Sequence, residues 1–106
     1  MNEPSDAVPP YRVVYSDRRR AHVKQLLERA SQQGRFAELA QAIRDIDTRL
    51  HWVPLDFGEP LQDYLELRIV ELVGVVSPLV VKYGIDEDRR IVYISLPFGL
   101  LPKSGL

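Results

Sequence analysis

The order of strand and helix signals along the chain constrains its fold most strongly. Three runs rich in apolar and β-branched residues occupy residues 65–73, 79–85 and 91–96, and turn residues separate them. Two amphipathic helical patterns come directly before these runs. Consecutive strands joined by short turns pair as antiparallel hairpins. This order therefore predicts an α+β domain and disfavours a parallel βαβ fold.

The N-terminal half adds one strand and defines the helix ends. Residues 11–15 are aromatic and β-branched, which favours a strand. Ser16 or Asp17 is expected to cap the first helix, and Gly34 supplies its break. The second helix follows at once and stops before Pro54. The expected order is β-α-α-β-β-β, with both helices on one face of a twisted, mainly antiparallel four-stranded sheet.

Chain length and proline content indicate one domain. A chain of 106 residues is too short for a second core, so residues 11–106 are expected to form a single unit. Residues 1–10 contain three prolines and few packing residues, and they are expected to be a mobile leader. Residues 53–63 contain two prolines and Gly58, which predicts an irregular connector. Residues 97–106 are apolar but broken by proline and glycine, so they are not expected to be strand throughout.

Composition excludes several functional classes. The absence of cysteine rules out disulfides, thiolate metal sites and cysteine nucleophiles, and it permits a reducing compartment, so a cytoplasmic location is expected. Neither paired histidines nor a glycine-rich phosphate loop is present, so no metal or cofactor is expected. No apolar run approaches the length that spans a bilayer, and the first residues lack signal-peptide features. The net charge of −1 argues against a dedicated nucleic-acid binder.

Three short segments follow one another in an order that is typical of a known family. They are Tyr11-Arg-Val-Val-Tyr-Ser16 before a basic helix, Phe57-Gly-Glu-Pro-Leu61, and the strand pair around Tyr83-Gly-Ile-Asp-Glu-Asp-Arg-Arg-Ile-Val92. Residues 11–96 in this respect resemble the RelE/ParE-like toxin superfamily, whose members pair with antitoxins in bacterial two-gene modules. The resemblance implies a twisted antiparallel sheet under two N-terminal helices. It implies ribosome-dependent mRNA cleavage for RelE-like members and gyrase inhibition for ParE-like members.

For cleaving members the resemblance implies arginines on the second and third strands and a basic or aromatic residue nearer the C-terminus. Arg68 matches the second-strand arginine. The third-strand pattern falls on residues 79–83, where Val80 replaces the arginine. Losing one cationic donor typically costs on the order of a hundred- to a thousandfold in rate. The candidate catalytic residues are therefore Arg68, Lys82 and Tyr93, and efficient cleavage is not expected.

Strand alternation predicts a partner surface on the face away from the helices. Arg68, Lys82 and Tyr93 are expected there together with Arg12, although such charges are commonly solvated cross-strand partners. Several apolar residues are expected on the same face, which is then too apolar for free solvent unless a partner or the apolar tail covers it. The candidate partner-binding residues are Arg12, Val70, Leu72, Val80, Phe98 and Leu100.

These observations favour a protein-binding module that engages an antitoxin-like or other protein partner. A ribosome-dependent mRNA endoribonuclease, which would contact the ribosome or mRNA, is the first alternative. Gyrase inhibition is the second. A homodimer is compatible with each of the three. His22 and His51 have no second histidine at the spacing typical of metal ligands, so structural or exposed roles are expected for both.

Overall fold

The computed structural model describes residues 9–64, 69–94 and 98–106, and shows an α+β protein with three helices and one mixed sheet. The predicted leader lies outside the described residues except for Pro9 and Pro10. Within the described residues, no helix combines the length and apolar character needed to cross a membrane. The elements are β1 (Arg12–Val14), α1 (Asp17–Gln32), α2 (Phe36–Trp52), α3 (Pro54–Phe57), β2 (Glu59–Tyr64), β3 (Ile69–Val76), β4 (Leu79–Asp86), β5 (Ile91–Ile94) and β6 (Gly99–Leu100).

The sheet is larger than predicted. Its strand order is β1-β5-β4-β3-β2, and β6 pairs with β4 beyond the end of β5. The β1–β5 pairing is parallel, and the other pairings are antiparallel. The expectation of four strands is therefore wrong, because β2 and β6 form from segments with proline and glycine. The α+β class and the mainly antiparallel pairing are as predicted.

Local signals place the two long helices where the sequence predicts them. Ser16 caps α1, since its hydroxyl accepts a hydrogen bond from the backbone N–H of Arg19 at 3.2 Å. Gly34 follows α1 with a φ of 71°, a left-handed conformation that glycine adopts without a steric penalty. Helix α2 ends at Trp52, and Pro54 begins the short helix α3, where its missing N–H costs nothing.

The predicted irregular connector is partly a strand. Residues 53–63 hold α3 and most of β2, the edge strand that pairs with β3. Pro60 is tolerated in β2 because an edge strand needs hydrogen bonds on one side only. The register shifts between Pro60 and Gln62, which is a bulge, and leaves Leu61 exposed. Strand β3 continues to Val76, so the turn that precedes β4 is shorter than predicted.

The core lies between the helices and one face of the sheet. Helices α1 and α2 contribute the inner positions of their apolar stripes, which are fully or nearly fully buried. We call the opposing sheet surface the helix face. It consists mainly of Leu72, Val81, Tyr83, Ile85 and Val92.

Strand β3 alternates in the sense opposite to the prediction. Leu72 pairs with Tyr83 and is only 1% exposed, and Val70 lies on the same helix face. Gly74 explains this parity, because a Cβ added to it would lie 2.3 Å from a ring carbon of Phe57. The Phe57 ring therefore occupies the helix face over Gly74, and every second residue of β3 points the same way. The expectation that the candidate partner-binding residues Val70 and Leu72 lie on the face away from the helices is wrong.

The C-terminal tail also belongs to the core side. Phe98 is 5% exposed within the core cluster, and Leu100 pairs with Leu79 and packs partly buried against that cluster. The backbone N–H of Leu101 donates to the carbonyl of Pro78 at 2.9 Å. The tail thus extends the sheet as β6 and does not fold over the opposite face. Phe98 and Leu100, which the sequence predicts to contact a partner, instead lie in or against the core.

Candidate functional site

The sheet surface that faces away from the helices is the candidate functional site, and we call it the open face. Strand pairing defines it: Val75 lies beside Val80, Val73 beside Lys82, and Tyr93 across from Gly84. Parallel pairing of β1 with β5 adds Arg12 next to Ile91. The open face consists of Arg12, Val14, Ile69, Glu71, Val73, Val75, Val80, Lys82, Gly84, Asp86, Ile91 and Tyr93.

Apolar side chains occupy one end of the open face. Val75 is 53% exposed and pairs directly with the half-buried Val80 next to the β3–β4 turn. Val73 follows on β3, two residues away. An antiparallel sheet with one solvated face normally carries polar residues on that face. Adjacent valines at these positions therefore mark a surface suited to burial against another molecule.

An ion pair lies at the centre of the open face. The Lys82 Nζ atom is 3.6 Å from Glu71 Oε1, and the two residues sit diagonally across β3 and β4. The Glu71 side chain is 17% exposed, so most of its carboxylate is removed from water. Moving Lys82 onto a phosphate would leave that carboxylate without its cation, which is costly in a partly buried site. The pair therefore serves as a neutral polar centre between the valines and Tyr93.

The glycine beside this ion pair brings the strands' side chains close together. Gly84 is buried on the open face, and a Cβ added to it would lie 3.3 Å from Cγ2 of Ile69. Tyr93 lies opposite Gly84 on the neighbouring strand and is 38% exposed. The Ile69 side chain therefore packs over Gly84, next to the partly exposed ring of Tyr93.

The predicted site residues separate into two groups. Arg12, Val80, Lys82 and Tyr93 all lie on the open face. Arg68 lies outside the described residues. The remaining predicted partner-binding residues lie on the helix side of the sheet, as described above.

Sequence reasoning missed Glu71, Val73 and Val75. The run Ile69-Val-Glu-Leu-Val73 is apolar on both faces, so a period of two does not distinguish the core side. One signal was available, because a lone carboxylate within such a run belongs on the more solvated face. A glycine inside a strand, such as Gly74, also indicates that another group approaches closely.

Among the described residues, no group of three or more histidine, aspartate or glutamate side chains is placed to hold a metal ion. Comparison with known protein families finds no match, and neither curated proteins nor solved structures show a detectable similarity to the chain.

Proposed function

We propose that the chain is a protein-binding module of the RelE/ParE-like type, which receives an antitoxin-like partner on its open face. The observation that carries the proposal is the exposed Val75, paired with the half-buried Val80, on the sheet face that the helices leave uncovered. Removing such a pair from water on complex formation is favourable, by about 25 cal/mol for each Å² of apolar surface buried. The sequence resemblance supports the class of partner.

The pattern of side chains specifies what the partner offers. The valine end of the open face favours an apolar anchor, and the partly exposed ring of Tyr93 favours a second one. The Lys82–Glu71 pair between them requires polar groups, since a desolvated ion pair needs further hydrogen bonds. An amphipathic helix meets these needs with apolar residues spaced three and four apart and a polar residue between them. We therefore propose a helical segment as the binding element.

The same geometry bears differently on the two alternatives, mRNA cleavage and gyrase inhibition. Lys82 is engaged by Glu71, and Val80 stands where the resemblance expects an arginine. Both features reduce the positive charge available to stabilise the phosphate in the transition state of RNA cleavage. We therefore place ribosome-dependent mRNA cleavage behind protein binding. No feature of the described residues favours gyrase inhibition, so it is kept only as an outcome of the test.

The binding test uses the protein encoded by the adjacent gene. Affinity is measured by calorimetry for the wild type, for Val75→Lys, and for the control Leu55→Lys, which places the same charge at an exposed apolar position of α3. We expect Val75→Lys to weaken binding at least tenfold, because a lysine would have to be desolvated at the contact. Leu55→Lys should bind like the wild type. Equal affinity of all three proteins would contradict the proposal.

Induced expression in a bacterium separates the alternatives. Binding alone predicts unimpaired growth, with intact mRNA and undamaged DNA. Growth arrest with mRNA cleavage that Arg68→Ala abolishes would instead establish the ribonuclease. Growth arrest with DNA damage and intact mRNA would indicate gyrase inhibition.

A further inference from the structure

A separate cleft lies in the helical layer, on the other side of the sheet from the open face. It has a volume of about 590 Å³ and opens between α1 and α2 near the end of β1. Volumes of 300 to 1,000 Å³ are typical of small-molecule sites. Its principal lining residues are Tyr15, Arg20, Val23, Ile43, Arg44 and Asp47.

Helical spacing brings these side chains together. Arg20 and Val23 are three residues apart on α1, and Ile43 and Asp47 are four apart on α2, so each pair shares one helix face. Val23 and Ile43 are partly buried and pack against the core cluster, which makes an apolar floor. Polar groups surround that floor. The cleft therefore combines an apolar base with charged walls, as ligand sites commonly do.

One wall offers a hydrogen-bond acceptor. The Tyr15 hydroxyl donates to Asp47 Oδ1 at 3.3 Å. Burial and the nearby Asp47 charge raise the pKa of Tyr15 above its ordinary value, so the hydroxyl stays protonated and remains a donor. His51 Nδ1 lies 3.4 Å from the other carboxylate oxygen. A carboxylate accepts about four hydrogen bonds, and the partly exposed Asp47 therefore keeps acceptor capacity toward the cleft.

The rim offers positive charge. Arg20 lies on the α1 side and Arg44 on the α2 side, and both side chains reach solvent. Arg44 Nη2 donates to Gln41 Oε1 at 2.9 Å, which uses one of the five donors of its guanidinium. With Asp47 as the only acidic residue in the lining, the described cleft has a net charge of +1. It is therefore complementary to an anion that also donates a hydrogen bond.

We propose that this cleft binds a small organic anion that carries a flat apolar ring and an N–H or O–H donor. The anionic group pairs with Arg44 and Arg20, the ring lies on Val23 and Ile43, and the donor reaches Asp47. Arginine suits carboxylate and phosphate groups because its fork matches their two oxygens. The site is independent of the open face.

Indole-3-acetate is a suitable probe because it has a carboxylate, a flat ring and one N–H. Titration into the ¹⁵N-labelled full chain is expected to shift the amide signals around Ile43 and Asp47 saturably, with a Kd on the order of 1 mM. Two matched probes remove one feature each. Indole-3-acetamide lacks the charge, and 1-naphthylacetate lacks the N–H donor. Both should bind several-fold more weakly than indole-3-acetate.

Three variants assign the contacts. Arg44→Gln should weaken indole-3-acetate about tenfold and leave indole-3-acetamide unchanged, because a charge-assisted hydrogen bond is lost only for the anion. Asp47→Ala should remove the preference for indole-3-acetate over 1-naphthylacetate. Lys24→Gln makes the same change of charge on an exposed α1 residue outside the cleft, and it should bind like the wild type.

The opposite results would overturn the proposal. Equal weakening by Lys24→Gln and Arg44→Gln would mean that diffuse charge attracts the probe. Signal changes centred on Val75 and Tyr93, or changes that never saturate, would place the probe elsewhere. None of these results depends on whether the open face binds a protein.

Discussion

Replacing Tyr83 with phenylalanine tests which side of the sheet is the core. Tyr83 is fully buried, and its hydroxyl donates to the carbonyl of Pro54 at 2.6 Å. Its ring stacks on Phe57, with the centroids 5.9 Å apart and the planes 15° apart. Phenylalanine keeps the ring and its packing but removes the hydroxyl. The substitution therefore removes the hydroxyl's hydrogen bonds to Pro54 and to the backbone of Gly58, which tie β4 to the two ends of α3.

The expected cost follows from the partner left behind. Without the hydroxyl, the Pro54 carbonyl loses its buried donor, and an unpaired buried acceptor costs about 1 to 3 kcal/mol. For a chain of 106 residues, a change of that size lowers Tm by about 5 to 13 °C. Urea unfolding followed by far-UV circular dichroism measures the free energy directly.

Tyr93→Phe is the matched control because it removes the same hydroxyl from the partly exposed open face. Its effect should stay within about 0.5 kcal/mol, since that hydroxyl can bond to water in both states. Equal costs for the two variants, or a larger cost for Tyr93→Phe, would contradict the assignment of Tyr83 to the buried face and Tyr93 to the open face.

Three further predictions concern the same sheet. Gly74→Ala should destabilise by about 1 to 3 kcal/mol in urea unfolding, because the new Cβ would meet the Phe57 ring; unchanged stability would contradict that contact. Leu72→Ala should cost about 2 to 5 kcal/mol, and Val75→Ala less than about 1 kcal/mol; the reverse order would return Leu72 to the open face. Burial raises the pKa of Tyr83 from 10.0 to about 12. The contribution of this neutral hydroxyl to the free energy of unfolding, about 2 to 3 kcal/mol, should therefore be fully present below pH 10 and be lost as the pH rises through about 12. Tyr83→Phe should show a smaller fall over that interval, and an equal fall would assign the titration to other groups.

The helices were predictable because their signals are local. The Ser16 cap, the break at Gly34 and the stop before Pro54 each depend on hydrogen bonds or steric limits within a few residues. The strands at residues 79–86 and 91–94 were predictable for a similar reason, since a polar turn separates two apolar runs. The α+β class followed from that order.

The edge strand and the tail were not predictable in the same way. Strand β2 contains Pro60, and β6 is only two residues long, so neither carries a pattern that stands out from loop sequence. Both exist because neighbouring strands supply hydrogen-bond partners. The same limit applies to the candidate site, because the sequence predicts Leu72 and Phe98 to contact a partner, whereas both are buried in the core.

The sequence by itself determined the two long helices, the strands around residues 79–86 and 91–94 and the α+β class, because capping, periodicity and turn chemistry act over a few residues. Only the tertiary structure decided which side of β3 is buried. Residues 69–73 carry apolar side chains on both sides of the strand. The buried side is decided by the Phe57 ring, which packs over Gly74 from a separate part of the chain. That contact turns Leu72 into the core and leaves Glu71 and Val75 on the open face. The alternation of side chains along a strand shows that its residues lie on two faces. Contacts with other parts of the chain decide which of the two faces is buried.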